Sequence, residues 1–177
     1  GFCGEKKSIR IASACLHFGE EPLITVFGGS GTIFFTGCTL RCSFCQNYQI
    51  SQDGMGRVVS KEEFVKICLD LQEAGAENIN LVTASHSIPL LAEYLKAARD
   101  SGLIIPICWN SSAYESVESL ELLKGLVTIW LPDLKTLNSE VSDKLFAAKD
   151  YPEVASKAIS WMIQNNPLKI ENRNGVD

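Results

Sequence analysis

Cys38, Cys42 and Cys45 fall in the run Gly37-Cys38-Thr39-Leu40-Arg41-Cys42-Ser43-Phe44-Cys45-Gln46-Asn47, a Cys-x3-Cys-x2-Cys spacing. Three thiolates on one short loop can each bind an iron of a [4Fe–4S] cluster, because such clusters are held by cysteine sulfur. Three ligands, rather than four, leave one iron open to a small molecule; electron carriers fill that position, and enzymes can leave it open. Two other chemistries fit the same spacing. Zinc could take the three sulfurs with a fourth ligand such as Cys15 or His86, and three thiols could simply be buried core residues. The other cysteines, Cys3, Cys15, Cys68 and Cys108, are scattered, and the total of seven is odd. That is not the pattern of a secreted disulfide framework. A tight cysteine group in a chain without a leader points to metal.

The loop needs elements to position it. Thr32-Ile33-Phe34-Phe35-Thr36, just before it, is β-branched and aromatic and reads as a short buried strand after a flexible Gly28-Gly29-Ser30-Gly31 turn. Ser60 with Glu63 forms a capping box. Phe64, Ile67, Cys68 and Leu71 then recur at helical spacing up to Gly75. Ile79 to Thr83 predicts a second strand. Ser87 and Pro89 open a helix through Leu91, Leu95 and Ala98, which Gly102 ends. Leu103 to Cys108 predicts a third strand, Ser116 caps a helix from Val117 to Lys124, and Val127 to Leu131 predicts a fourth strand. Ser139 starts another helix, and Pro152 one more, with Val154, Ala158, Ile159 and Met162 on one face. Short, continuously apolar strands alternating with helices indicate parallel βαβ units covered on both faces. The cysteine loop therefore follows the C-terminal end of a parallel strand, where active sites of such folds collect. Residues 1–22 have no clear period, and a complete eight-unit barrel needs about 250 residues. The chain can hold a partial barrel or an open sheet.

Composition bounds the partners. The chain has 177 residues, 46% hydrophobic and 21% charged, with a formal net charge of −5. It is globular, and its acidic balance argues against a broad nucleic-acid surface. No apolar run approaches the ~20 residues that cross a bilayer, and no basic-then-apolar leader opens it. A cytoplasmic protein with no membrane and no nucleic-acid partner is expected.

These residues carry a family resemblance. Cys38-x3-Cys42-x2-Cys45, with Phe44 before the last cysteine, resembles the cluster motif of the radical S-adenosylmethionine (SAM) superfamily. The run from Gly31 through Gly37-Cys38 to Cys45-Gln46-Asn47, the segment Gly75-Ala76-Glu77-Asn78-Ile79-Asn80-Leu81-Val82-Thr83 and Leu131-Pro132-Asp133-Leu134-Lys135 are similar to the uncharacterised branch related to pyruvate formate-lyase activating enzyme. The likeness runs from about Gly28 to Met162. It implies an α/β fold, a partial (β/α) barrel of the radical SAM type, with about four of its six βα units present. It also implies a [4Fe–4S] cluster on Cys38, Cys42 and Cys45 and SAM bound at the open iron. One electron would cleave SAM to a 5′-deoxyadenosyl radical that abstracts hydrogen, making the protein an oxidoreductase. The electron donor would be a protein such as a flavodoxin or ferredoxin. The substrate would be a glycine on a partner enzyme or a small molecule. A structural zinc- or cluster-binding domain without turnover is the alternative.

The resemblance places the SAM contacts unevenly. Asp133-x-Lys135 matches the Asp-x-Lys of the activating enzymes, in which the lysine meets the SAM carboxylate and the aspartate organises that end. Asn110 and Ser111 stand where those enzymes have Asp-Thr-Asn-Gly; they could hydrogen-bond SAM, but Asn110 lacks the negative charge of a cation site. Ala113 stands in place of the glycine, which matters if the position needs positive φ. The Gly-Gly-Glu that many relatives carry after the second strand is replaced by Val82-Thr83-Ala84-Ser85-His86. A backbone contact from Thr83 or Ser85 could survive that change. His86 is a helix cap or a proton-transfer group. Gln46 and Asn47 could donate to the cluster sulfurs, and Phe44 could shield the cluster or pack near the adenine. At the ends, residues 1–22 read as the remnant of an N-terminal Cys-containing segment, with Gly1-Phe2-Cys3-Gly4 as its last piece. Residues 23–177 read as the radical SAM core, stopping at Pro167-Leu168-Lys169-Ile170 where a further unit would begin.

Overall fold

A computed structural model describes residues 8–20 and 24–166. Cys3 and the expected turn or strand after Pro167 lie outside the described residues. Along the chain come β1 (Ile9–His17), β2 (Ser30–Phe35), α1 (Tyr48–Ser51), β3 (Arg57–Val59), α2 (Lys61–Glu73), β4 (Ile79–Val82), a 3-10 turn (Ser85–Ser87) and α3 (Ile88–Asp100). Then follow β5 (Ile107–Ser111), α4 (Val117–Glu121), β6 (Ile129–Pro132), α5 (Ser139–Phe146) and α6 (Tyr151–Asn165). The strands form one sheet in the order β3-β1-β2-β4-β5-β6. β2, β4, β5 and β6 are parallel, and β1 runs antiparallel to both β2 and β3. The architecture is a partial radical-SAM-type β/α barrel. It contains the four expected parallel strand–helix units, with an antiparallel pair added on the β2 side.

Register sorts the side chains between two faces. Ile33, Leu81 and Trp109 are partners across β2, β4 and β5, and all are fully buried. With Phe64 of α2 and Leu91 and Leu95 of α3 they form the core under the helices, each large side chain contributing roughly 1.5–3 kcal/mol. The next row, Phe34, Val82 and Asn110, points to the opposite, concave face.

Local chemistry sets most boundaries. Ser60 and Glu63 form the reciprocal capping box expected for α2. α5 starts at Ser139 as expected and is capped by the Asn138 side chain, which accepts from the Glu140 and Val141 amides. α4 ends at Glu121, short of Lys124. The third parallel strand is Ile107–Ser111, not Leu103–Cys108. Pro106 precedes it, Ile104 is 83% exposed, and the Gln72 side chain takes the amides of Ile104 and Ile105. Ser30 and Gly31 belong to β2 rather than to a flexible turn. A Cβ on Gly31 would sit 2.9 Å from the Asn78 carbonyl, so the close approach of two backbones demands glycine there.

The Glu77-Asn78 pair braces the other end of the strands. The Glu77 carboxylate accepts the amides of Val26 and Phe27 at 2.7 and 2.6 Å, and that of Gly28. Asn78 accepts the Ser30 hydroxyl at 2.7 Å and donates to the Ile24 carbonyl at 2.8 Å. Among the described residues no helix is long and apolar enough to cross a membrane.

Candidate functional site

A cavity of about 410 Å³ opens at the C-terminal ends of the parallel strands. Cys38, Cys42, Phe44 and Cys45 line one side; Thr83, Asn110, Ser111, Asp133 and Lys135 line the other. Four separate βα connections therefore bring these nine expected residues to one place. Ser85 is not among the lining residues. It turns away, and its hydroxyl donates to Glu115 Oε1. His86 occupies the 3-10 turn and does not line the cavity either. Gln46 and Asn47 do line it.

The cysteine loop is held by backbone bonds at both ends. Gly37, at φ +88°, turns the chain out of β2, and its amide donates to the Ile50 carbonyl at 3.1 Å. The amides of Arg41 and Ser43 donate to the carbonyls of Phe146 and Leu145 at 3.0 and 2.9 Å. Those carbonyls end α5, where a helix leaves its last acceptors unused. Ala147 in the left-handed conformation (φ +56°) turns the chain away directly after them. Phe44 packs edge-on against Phe146 at 5.7 Å, yet remains 56% exposed. The Leu40 amide lies 3.4 Å from Cys38 Sγ, and Ser51 Oγ lies 3.2 Å from Cys45 Sγ.

Burial raises the Cys38 thiol above its ordinary value and pushes Cys42 up to about 11, with the Lys135 charge opposing both. Among the described residues no three His, Cys, Asp or Glu side chains converge to hold a single metal ion. A polynuclear cluster puts a different iron at each thiolate, so three cysteines of one loop lining one cavity offer it three ligands. The fourth zinc ligands considered above, Cys15 and His86, do not line the cavity.

Across the cavity, Lys135 Nζ lies 2.5 Å from Asp133 Oδ2, with the lysine side chain 19% and the aspartate 60% exposed. Burial opposes the Lys135 ammonium, but the hydrogen bond and charge of Asp133 outweigh it and raise its pKa. The site thus offers a cation on an otherwise half-apolar wall, suited to a carboxylate. Thr83 Oγ1 lies 3.5 Å from the Asn110 carbonyl, and Asp133 N donates to the Ser111 carbonyl at 2.8 Å, so the three strand ends are stitched together. Ala113 has φ +59° and is fully buried, the conformation that glycine adopts freely.

Residues that sequence patterns do not signal complete the site. Ser112 lines the cavity, and its carbonyl accepts from the Tyr151 hydroxyl at 3.0 Å. Glu115 is buried behind the β4 and β5 ends; its Oε1 takes the Ser85 hydroxyl, and its Oε2 has no hydrogen-bond partner. Burial raises its carboxyl, and the polar side chains of Ser85, Ser111 and Trp109 offset only part of that. A charged residue just before a helix cap reads as surface in a sequence, so no signal marked Glu115.

Known proteins place the chain in a family. The family model described as the radical SAM superfamily matches residues 32–167, well over half of the chain. An uncharacterized protein of Methanocaldococcus jannaschii is 34% identical over 164 residues, covering 89% of this chain and 47% of the relative. The chain spans about half the length of that curated relative. With the family model matched from β2 and the cysteine loop through α6, the chain belongs to the radical SAM superfamily.

Proposed function

We propose that this chain is the core of an enzyme that reductively cleaves SAM and uses the resulting radical to abstract hydrogen, in the manner of the pyruvate formate-lyase activating enzymes. The observation that carries the reading is the meeting of three cysteines with the Asp133–Lys135 pair on one cavity. A [4Fe–4S] cluster bound there would supply the electron that breaks the sulfonium C–S bond, giving methionine and a 5′-deoxyadenosyl radical. Cys38, Cys42 and Cys45 would hold it through their thiolates. Lys135 would meet the SAM carboxylate, with Asp133 fixing the direction of the ammonium. Thr83, Asn110 and Ser111 supply neutral hydrogen-bonding groups for the rest of the cofactor. Phe34, Phe44 and Val82 give apolar wall that excludes water from a reactive species.

The partners follow from the same surface. Phe44, Tyr48 and Met55 are exposed beside the cysteine loop, a face suited to a protein electron donor such as a flavodoxin or ferredoxin. A glycine on a partner enzyme is the substrate this reading favours, on the likeness to the activating enzymes. Anaerobic reconstitution should yield about four iron and four sulfide per chain, and 5′-deoxyadenosine should form on reduction with SAM present. Stoichiometric zinc without sulfide would overturn the reading in favour of a structural metal domain. A glycyl radical signal on a candidate partner would fix the substrate, and its absence with turnover of a small molecule would replace it.

A further inference from the structure

Tyr151 opens α6, and its side chain is fully buried. Its hydroxyl accepts the Lys135 amide at 2.9 Å, and its hydrogen faces the carbonyls of Ser112 and Asp133, both at 3.0 Å. All three partners are backbone groups, and all three residues line the cavity. A buried tyrosine hydroxyl needs one partner to escape a desolvation penalty; three exceed that need. They also fall where the sheet ladder stops. The last register pair is Ser111 with Pro132; the Asp133 amide still reaches the Ser111 carbonyl at 2.8 Å, and Lys135 lies beyond that bond. The ring is held independently, edge-on to Phe146 at 5.4 Å and tilted against Tyr114 at 5.9 Å.

We infer that Tyr151 is a positioning residue whose hydroxyl fixes the Asp133–Lys135 backbone to the end of β5, and so aims the Lys135 ammonium into the cavity. The inference rests on the reading of that cavity as a SAM site. It assigns no chemistry to the tyrosine; the hydroxyl acts through the lysine. Without it, Lys135 keeps its charge but samples more directions, and each productive contact carries a larger ordering cost.

Tyr151→Phe tests this, because it keeps the ring and removes only the oxygen. Tyr114→Phe is the control: its hydroxyl donates outward to Asp150 at 2.7 Å. Amide exchange of Lys135, followed by NMR on the cofactor-free chain, is expected to be protected in the wild type and at least about tenfold faster in Tyr151→Phe, the equivalent of one lost hydrogen bond. In the reconstituted protein the SAM Kd is expected to rise about tenfold in Tyr151→Phe, with iron content unchanged, and to stay at the wild-type value in Tyr114→Phe. A Lys135 amide already unprotected in the wild type overturns the inference, with no variant needed. So does a Tyr151→Phe protein with unaltered exchange, or with unaltered affinity where the wild type binds SAM. A wild type that carries its cluster and fails to bind SAM instead overturns the reading of the cavity, while the exchange rates still decide what Tyr151 does.

Discussion

Replacing Lys135 by methionine removes the cation of the cavity while keeping most of the stem that packs there. The side chain is 19% exposed, and its ammonium is held 2.5 Å from Asp133. The raised pKa keeps it charged at neutral pH. One of its three N–H donors serves Asp133, which leaves two for a ligand. A hydrogen bond to a charged group contributes about 1.5–3 kcal/mol, so Lys135→Met is expected to weaken SAM binding roughly 10- to 150-fold. The cost to the fold is much smaller. Asp133 is mostly solvated, and a pair of that kind contributes at most about 1 kcal/mol. Titration calorimetry of SAM into the anaerobically reconstituted protein gives the first number, a thermal melt gives the second, and iron analysis shows that the cysteine loop is intact. Lys135→Arg should recover only part of the affinity, because a planar guanidinium presents its donors in a different geometry. A Lys135→Met protein with full iron content and SAM affinity within about twofold of wild type would refute the placement of the carboxylate at this lysine.

Four other substitutions test the surroundings. Burial gives Glu115 a higher pKa in the folded protein than in the unfolded chain, so wild-type stability should fall as pH rises from the ordinary carboxyl range through that raised value, and stay lower above it. Glu115→Gln keeps an oxygen for Ser85 and removes the titration; its melting temperature should gain on wild type as pH rises above the ordinary carboxyl range, and parallel curves would refute the assignment. Ala147→Gly should stabilise by about 0.5–1 kcal/mol, since glycine relieves ~1–2 kcal/mol of left-handed strain at an entropic cost of ~0.5–1; Ala113→Gly should come out near zero, because it also forfeits a buried methyl of about 0.8 kcal/mol. Glu77→Ala should open residues 24–28 to limited proteolysis, since three loop amides lose their acceptor.

The parallel strands and the cysteine loop were legible because their signals are local. β2 and β4 are apolar runs bounded by turn residues, α2 carries its capping box in four adjacent positions, and the thiolates lie on one loop. β1 was not legible. Its register slips between Ile11 and Ser13, which breaks the two-residue period, and its later residues are small and exposed. β3 is only three residues long. The shift of β5 has a different cause: Leu103-Ile104-Ile105 has strand composition but lies before the ladder, and polar Asn110 and Ser111 continue the strand because their end faces the cavity. Asp133 and Lys135 were readable as a short motif. Tyr151 and Glu115 act over sequence separations of 16 to 39 residues, and neither periodicity nor spacing encodes such contacts.

The loop bearing the cysteines is anchored to Ile50, Leu145 and Phe146 by amide–carbonyl bonds, with Gln52 donating to the Cys42 carbonyl and Phe44 packed on Phe146. Those contacts come from the chain itself, unlike the ligand bonds of a zinc finger, which is unfolded until its ion arrives. A loop anchored in this way is expected to form first and to be loaded afterwards, as a separate event. The same order runs in reverse under air. Oxidative loss should leave a folded, refillable shell rather than a denatured chain, so iron content lost to oxygen should be recoverable by resupplying iron and sulfide, with no refolding step between.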